Sequence, residues 1–238
     1  MISGFEFRPG LLPSVAAVAV FLLALGLGNW QLNRAGEKLR LQQRIEKLAK
    51  QPPVRFPASE VNAEDYQYRP VEVEGRFAGS YTIYIDNRIY HGVTGYHVIT
   101  PLQIGNSTRY VLIKRGWIAR GGERRAPLVP TPENTSIING LAIIPSNKVF
   151  ELSTQTEEGN VWQNLVLERY RKAVPLVIQP VVIEQRNDTG DGLVRDWEKP
   201  DVGINMHRGY AFQWFALAAA VVILYVVVNV KRVPQKPH

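Results

Sequence analysis

Two long apolar stretches stand out from an otherwise mixed chain. The second, Tyr210–Val230, carries no charge, one Gln near its start and one Asn near its end. As a helix it would rise about 31 Å, against a bilayer hydrocarbon core of roughly 30 Å. Lys231, Arg232 and Lys236 follow at once and suit lipid headgroups, while Tyr210 and Trp214 suit the opposite interface. The competing reading is a buried helix of a large soluble protein, which rarely needs this length without a charge. The first stretch, Leu11–Gly28, has Pro13 near its start, where a missing N–H does little harm. Gly26 and Gly28 offer close approach to another helix. A cleaved secretory signal is the alternative here. Only Arg8 supplies a basic leader and Ala24-Leu25-Gly26 is a poor cleavage site, so an uncleaved anchor is expected.

Between these stretches the period changes. Trp30–Lys50 continues the first helix, with Leu41, Ile45 and Leu48 on one face, and Pro52-Pro53 stops it. Arg55–Tyr68 reads as a polar connector. Val71, Val73, Gly75 and Phe77 then alternate with Glu72, Glu74 and Arg76, the period of a half-buried strand. Further strands are predicted over Thr82–Ile85, broken at Asp86-Asn87, and over Tyr96–Thr100, closed by Pro101. Gly105-Asn106 reads as a hairpin turn into a strand over Arg109–Ile118, and Ser136–Ile144 as a strand stopped by Pro145. Gly121–Thr135 and Arg186–Asp201 read as loops, and Val149–Gly159 has no clear period. Leu165–Val174 predicts a helix, and Leu176–Glu184 a last strand, placed by Pro180 at an edge or a break.

The expected fold is therefore an α+β membrane protein. Two transmembrane helices, 11–29 and 210–230, flank a mostly antiparallel β domain with one or two helices, 30–209, leaving tails 1–10 and 231–238. Two spans put both tails on one side. Arg8, Lys231, Arg232 and Lys236 argue for cytoplasmic tails, but Arg34, Lys38, Arg40, Arg44, Lys47 and Lys50 follow the first span and argue the other way. Charge alone leaves the side open.

Composition narrows the function. A net charge of +7 and a pI near 9.7 fit a protein beside anionic lipid. No basic patch with interleaved aromatics marks a nucleic-acid partner. The chain has no cysteine, which removes disulfides, thiol catalysis and thiolate metal sites.

Candidate chemistry rests on few residues. No G-x-S-x-G elbow, H-E-x-x-H or P-loop is present. His91 and His97 are six apart and match no standard metal spacing. Asp188-Thr189-Gly190 resembles an aspartic-protease tripeptide, but such a site needs a second carboxylate motif, so a turn is expected and no catalytic residue is assigned. His207 differs, because it lies three residues before the predicted second span, where water meets lipid. There it is either a haem or metal ligand or an interfacial side chain, with Asn205 as a cap.

Four stretches together resemble the Surfeit-locus protein family, membrane-bound assembly factors of haem–copper cytochrome oxidase. They are Leu27-Gly28-Asn29-Trp30-Gln31-Leu32-Asn33-Arg34 with Lys38 after it, Gly95–Leu102, Val111–Ile118 and His207–Phe215. Tyr68–Phe77 and Asp191–Trp197 look like further family segments, and Lys114 stands where a small polar residue, often Asn, is expected.

The resemblance implies a bacterial inner-membrane protein with a periplasmic central domain. It further implies a non-enzymatic role in assembling cytochrome c oxidase, with haem a delivered to or inserted into subunit I. Expected partners are subunit I, haem a synthase and the lipid bilayer. His207 is expected to ligate the haem iron, with Tyr210 and Trp214 flanking the porphyrin. Trp30, Gln31, Arg34 and Gln213 are expected to anchor the chain or meet partner helices. Arg115, Gly116 and Trp117 serve carboxylate or propionate contact, or form a strand-end turn with Trp117 in the core. A scaffold that stabilises subunit I without a cofactor, and a membrane-anchored hydrolase, are the alternatives.

Overall fold

The computed structural model describes residues 5–121, 126–145, 157–197 and 203–232. In chain order its elements are β1 (Phe5–Phe7), α1 (Leu11–Ala49), β2 (Val54–Arg55), α2 (Ala63–Tyr66), β3 (Pro70–Phe77), a 3-10 turn at Gly79–Tyr81, β4 (Ile83–Tyr90), β5 (Val93–Ile104), β6 (Arg109–Ala119), β7 (Ser136–Ile143), β8 (Glu157–Glu158), β9 (Val161–Trp162), α3 (Leu167–Ala173), β10 (Val177–Gln185), α4 (Ile204–Asn229) and β11 (Val230–Arg232). They form two compact units, Met1–Arg44 with Lys199–His238, and Ile45–Glu198. Lys236, His238 and most of the Val149–Gly159 stretch lie outside the described residues.

The first unit is an antiparallel helix pair. Both helices are long and apolar enough to cross a membrane, and little of either apolar stretch is covered by protein. The covered positions are regular. On α1, Ser14, Ala17, Phe21, Ala24, Gly28, Gln31 and Ala35 are buried or half-buried, and on α4 so are His207, Ala211, Trp214, Ala218, Val221 and Tyr225. Steps of three and four repeat along both, the seam of a coiled-coil-like pair. Small residues sit where the helices meet, as expected when lipid rather than water surrounds them. Gly28 receives the Phe215 ring, whose nearest carbon lies 2.7 Å from where a Cβ would stand, whereas nothing lies within 4 Å of that point at Gly26. Beyond the helices the tails pair as well, with β1 antiparallel to β11 and Arg8 N–H donating to Asn229 O at 2.9 Å.

The α4 boundary differs from the sequence reading. The helix begins at Ile204 behind Gly203, whose φ of 76° is left-handed, so His207 lies inside the first turn and Asn205 is not the cap. The cause is simple: hydropathy locates the lipid-facing part of a helix, while backbone hydrogen bonding continues into the polar flank.

In the second unit the strands close on themselves. β3 pairs with β7, β7 with β10, β10 with β6, β6 with β5, and β5 with β3. The β10–β6 pair is parallel and the other four are antiparallel. A small five-stranded Greek-key barrel of this kind is the architecture of OB-type domains. All five strands contribute to one interior, including Val71, Val73, Leu102, Val111, Ile138 and Ile183. A second cluster, with Ile85, Leu112, Trp162, Tyr170 and Val182, covers the outer barrel face beneath β4, β9 and α3. Leu112 faces this outer cluster while Val111 and Ile113 face the interior, which explains the continuous apolar run in β6.

Two expected strand limits are corrected, and an open alternative for a third strand is resolved. β4 runs through Asp86-Asn87 as a bulge, with a register shift between Ile85 and Arg88 and Asn87 at φ 57°. β5 runs through Pro101, because the strand changes partner there: Ile99 pairs with Ile83 of β4, and Leu102 with Phe77 of β3. Pro101 O accepts from Ala78 N–H at 2.8 Å, and the missing proline donor falls in the gap between the two partners. Of the edge or break expected at Pro180, the structure has the break: β10 is central, and Pro180 sits in an irregularity between Ile178 and Val182. The expected polar connector Arg55–Tyr68 also holds α2 and buries Phe56 and Val61.

Candidate functional site

The resemblance-bearing residues gather into two sites, one in each unit. In the helix pair, His207 Nδ1 lies 2.7 Å from Gln31 Oε1. An amide oxygen accepts, so Nδ1 is the donor of this bond, and a neutral ring held this way has its lone pair on Nε2. This is the arrangement in which a histidine is held as a ligand, one nitrogen oriented by an acceptor and the other offered outward. Trp30, next to Gln31, is 51% exposed, and Tyr210, one turn beyond His207, is 47% exposed. Two amphipathic aromatics therefore lie near the level of the His207–Gln31 bond. Arg34 stacks over Trp30 at 5.8 Å and pairs with Glu37 at 2.8 Å. Trp214 is half-buried in the seam, seven residues from His207, and Gln213 is exposed on the flank. Tyr210 and Trp214 thus divide between lipid-facing and seam-facing positions.

Sequence reasoning missed the bond at the far end of the same seam. Ser14 Oγ and Tyr225 Oη are 2.6 Å apart. The available signal was a hydroxyl inside each apolar run, Ser14 in the first and Tyr225 in the second. Gln31 lies seventeen positions after Ser14 on α1, about 26 Å along a helix.

The other site lies on β6. Opposite β5, Val98 pairs with Gly116 and Ile99 with Lys114, so Arg115 is the extra residue of a bulge. The bulge buries it completely. Its Nη2 donates to Asp191 Oδ2 at 3.0 Å and to Pro130 O at 2.8 Å, and its guanidinium stacks 5.2 Å from the Phe77 ring centre. Arg195 holds the other oxygen of Asp191. Burial works to raise the Asp191 pKa. The Arg195 hydrogen bond and charge, the Leu193 N–H and the Arg115 charge outweigh it and hold the carboxyl below its ordinary value.

Neighbouring contacts extend this docking. A Cβ on Gly116 would stand 2.5 Å from Leu193 Cβ, so only glycine lets the 191–195 segment cross here. Trp117 exchanges backbone hydrogen bonds with Val194 at 2.7 and 2.9 Å and donates from Nε1 to Arg88 O at 2.7 Å. The Arg-Gly-Trp triplet is thus mid-strand rather than a strand-end turn, with Trp117 half-buried against Tyr90. The carboxylate that Arg115 meets is the protein's own.

Beside it, His97 meets the Trp197 ring edge-on, 5.4 Å between centres, and Lys114 lies 4.3 Å from the same ring centre while pairing with Glu184 at 2.8 Å. Burial, then the charges of Lys114 and Arg88, push the His97 pKa down to about 3. His91 sits on the β4–β5 turn with φ 46°. Asp188-Thr189-Gly190 forms the expected turn: Gly190 N–H donates to Asp188 Oδ1 at 2.9 Å. Among the described residues, no three His, Cys, Asp or Glu side chains group as ligands for a bare metal ion.

Sequence comparison matches residues 18–219 to the model of the SURF1 family. Among similar curated proteins, Surfeit locus protein 1 of Mus musculus is 26% identical over 231 residues, covering 89% of this chain and 74% of that protein. A SURF1-like protein of Rickettsia bellii (strain RML369-C) is 26% identical over 218 residues, covering 89% and 88%. One from Dictyostelium discoideum is 24% identical over 248 residues, covering 86% and 91%.

Proposed function

The chain belongs to the SURF1 family, and from that premise we propose that it is a two-pass inner-membrane assembly factor for haem–copper cytochrome c oxidase. In this reading it is not an enzyme. Its tails are cytoplasmic and its barrel periplasmic, and it holds haem a as cargo on the way to subunit I.

The observation that carries the cargo site is the His207–Gln31 bond at the end of the apolar seam. One imidazole is a poor site for a bare ion. A porphyrin brings four nitrogen donors of its own and asks for an axial ligand. His207 offers Nε2 for that role. Tyr210 and Trp30 give exposed aromatic surface for an apolar macrocycle, and the lipid-facing helix flanks accept its tail. Arg34 and Arg208 add positive charge for propionates. When bound, the iron supplies the redox and visible absorbance of the cargo; the chain supplies orientation and a dry flank.

The test is purification from cells making haem a, followed by visible spectra. Wild type is expected to carry haem a, and His207→Ala to lose most of it. Equal haem in both removes the ligand assignment.

Gln213 favours a second reading. A polar amide on the exposed face of an apolar helix suits contact with another helix rather than lipid. A scaffold that grips subunit I through that face binds it without haem, and loses that binding on Gln213→Leu.

A further inference from the structure

We infer that Gln31 is a positioning residue: its amide oxygen fixes His207 as the Nδ1–H tautomer and holds the ring across the helix seam with Nε2 turned to the cargo. The inference rests on the haem reading of His207. It deepens that reading by assigning a role to a residue on the other helix.

The argument starts from the geometry. A neutral imidazole has two tautomers, and an acceptor at one nitrogen selects between them. Gln31 Oε1, 2.7 Å from Nδ1, is such an acceptor, and it comes from α1 rather than from α4. A partner on the ring's own helix would move with it. A partner across the seam makes ring orientation depend on the packing of both helices. That packing is tight on the Gln31 side, because Gly28, one turn away, takes the Phe215 ring.

Gln31 is also half-buried beside an apolar surface, where an amide without a partner is costly. An acceptor on the second nitrogen raises the donor strength of the first, and loss of such partners commonly lowers metal affinity about 10–100-fold.

The experiment uses the full chain in nanodiscs, with Gln31→Leu, Gln31→Glu and His207→Ala beside wild type. The first readout needs no haem. Nitrogen-15 spectra of histidine-labelled protein are expected to show one ring in the Nδ1–H tautomer, absent in His207→Ala and shifted toward the Nε2–H form in Gln31→Leu. The second readout is titration with haem a. Gln31→Leu is expected to bind about 10–100-fold more weakly and to have a raised midpoint potential. Gln31→Glu keeps an acceptor, so it is expected to bind near the wild-type level with a lowered potential. Two failures are separable. If His207→Ala binds haem a as wild type does, the haem reading fails and this inference with it. If His207→Ala loses haem but Gln31→Leu keeps wild-type affinity, potential and tautomer, the positioning role alone is overturned.

Discussion

Gln31 and His207 join the two apolar helices at one end of their seam, 2.7 Å apart, and Ser14 and Tyr225 join them at the other, 2.6 Å apart. The chain between the two bonds on α1 spans about 26 Å as a helix. That is close to the hydrocarbon thickness of a bilayer, roughly 30 Å. With this spacing each polar pair falls near the edge of a hydrocarbon core rather than at its centre, and the partner on the facing helix satisfies the polar group where the protein seam shuts water out.

The Ser14–Tyr225 pair is expected to couple the helices without touching the cargo. A double-mutant cycle of Ser14→Ala and Tyr225→Phe should give a coupling of about 0.6 kcal/mol, at most about 1.7, the range for such bonds in membrane proteins. Unfolding in bicelles measures it. Haem content should stay at the wild-type level in both single variants, in contrast to Gln31→Leu.

Two glycines near each other on α1 should respond differently. Gly28→Leu drives a branched side chain into the Phe215 ring, while Gly26 faces open space. Overpacking of this kind costs about 1–3 kcal/mol. Gly28→Leu is thus expected to lower the unfolding midpoint of the helix pair and Gly26→Leu to leave it within error. Equal effects would show that the seam does not run through Gly28.

Much of this architecture is legible in the sequence because the relevant signals are local. Helix length and hydropathy mark both spans, and Val71, Val73 and Gly75 alternate cleanly because β3 buries one face. Non-local features are not legible. Pro101 reads as a stop, yet it sits where β5 changes partners, and nothing near it announces that exchange. Barrel closure depends on β3 meeting both β5 and β7, a pairing that no period reveals. The quoted motifs show the same division. Gln31 and His207 are far apart in sequence and meet in one unit. Arg115-Gly116-Trp117 and Asp191–Arg195, two separate family-like segments, dock on each other in the other. The residue types pointed to Arg115 as a carboxylate partner, but only the fold identifies that carboxylate as Asp191.

The Arg115–Asp191 pair is expected to be structural. Both side chains are almost wholly buried, at 1% and 3% exposure. Removing one partner leaves an uncompensated buried charge, which costs about 3–5 kcal/mol. Asp191→Ala should therefore destabilise the barrel by that order in urea unfolding. Exposed pairs are worth about 0–1 kcal/mol, so Glu74→Ala, which breaks the open Arg55–Glu74 contact, should fall within that range.

His97 should govern the mildly acidic limb of the barrel's stability. Its folded pKa, about 3, lies below the ordinary imidazole value of 6.5. Between those two values the unfolded chain binds a proton that the folded chain refuses. Stability is then full above about pH 6.5 and falls as the pH drops toward 3, by up to about 1.4 kcal/mol per unit. Asp191 adds a loss only lower down, as the pH falls below the ordinary carboxylate range toward its depressed pKa. His97→Phe is expected to flatten the profile between about pH 6 and 4.5, while Asp191 variants change it below that window. A wild-type profile already flat there would show that His97 titrates normally.

The sidedness of the chain is open to a direct test, because the protein has no native cysteine to remove. The tails pair as β1 and β11, with Glu6 opposite Lys231. Single cysteines at these two positions must share one side of the membrane whatever that side is. Under the proposed topology both are cytoplasmic, and a cysteine at Ser107, on the β5–β6 turn, is periplasmic. A membrane-impermeant maleimide added to intact spheroplasts is expected to label Ser107→Cys and to spare Glu6→Cys and Lys231→Cys until the membrane is opened. The Glu6→Cys protein also tests cleavage. An uncleaved anchor keeps residue 6 and its partner strand, so the label should appear at full length after lysis, whereas a processed leader would carry it away. Labelling of Ser107→Cys only after lysis would put the barrel in the cytoplasm and remove the periplasmic face on which the proposed haem delivery depends.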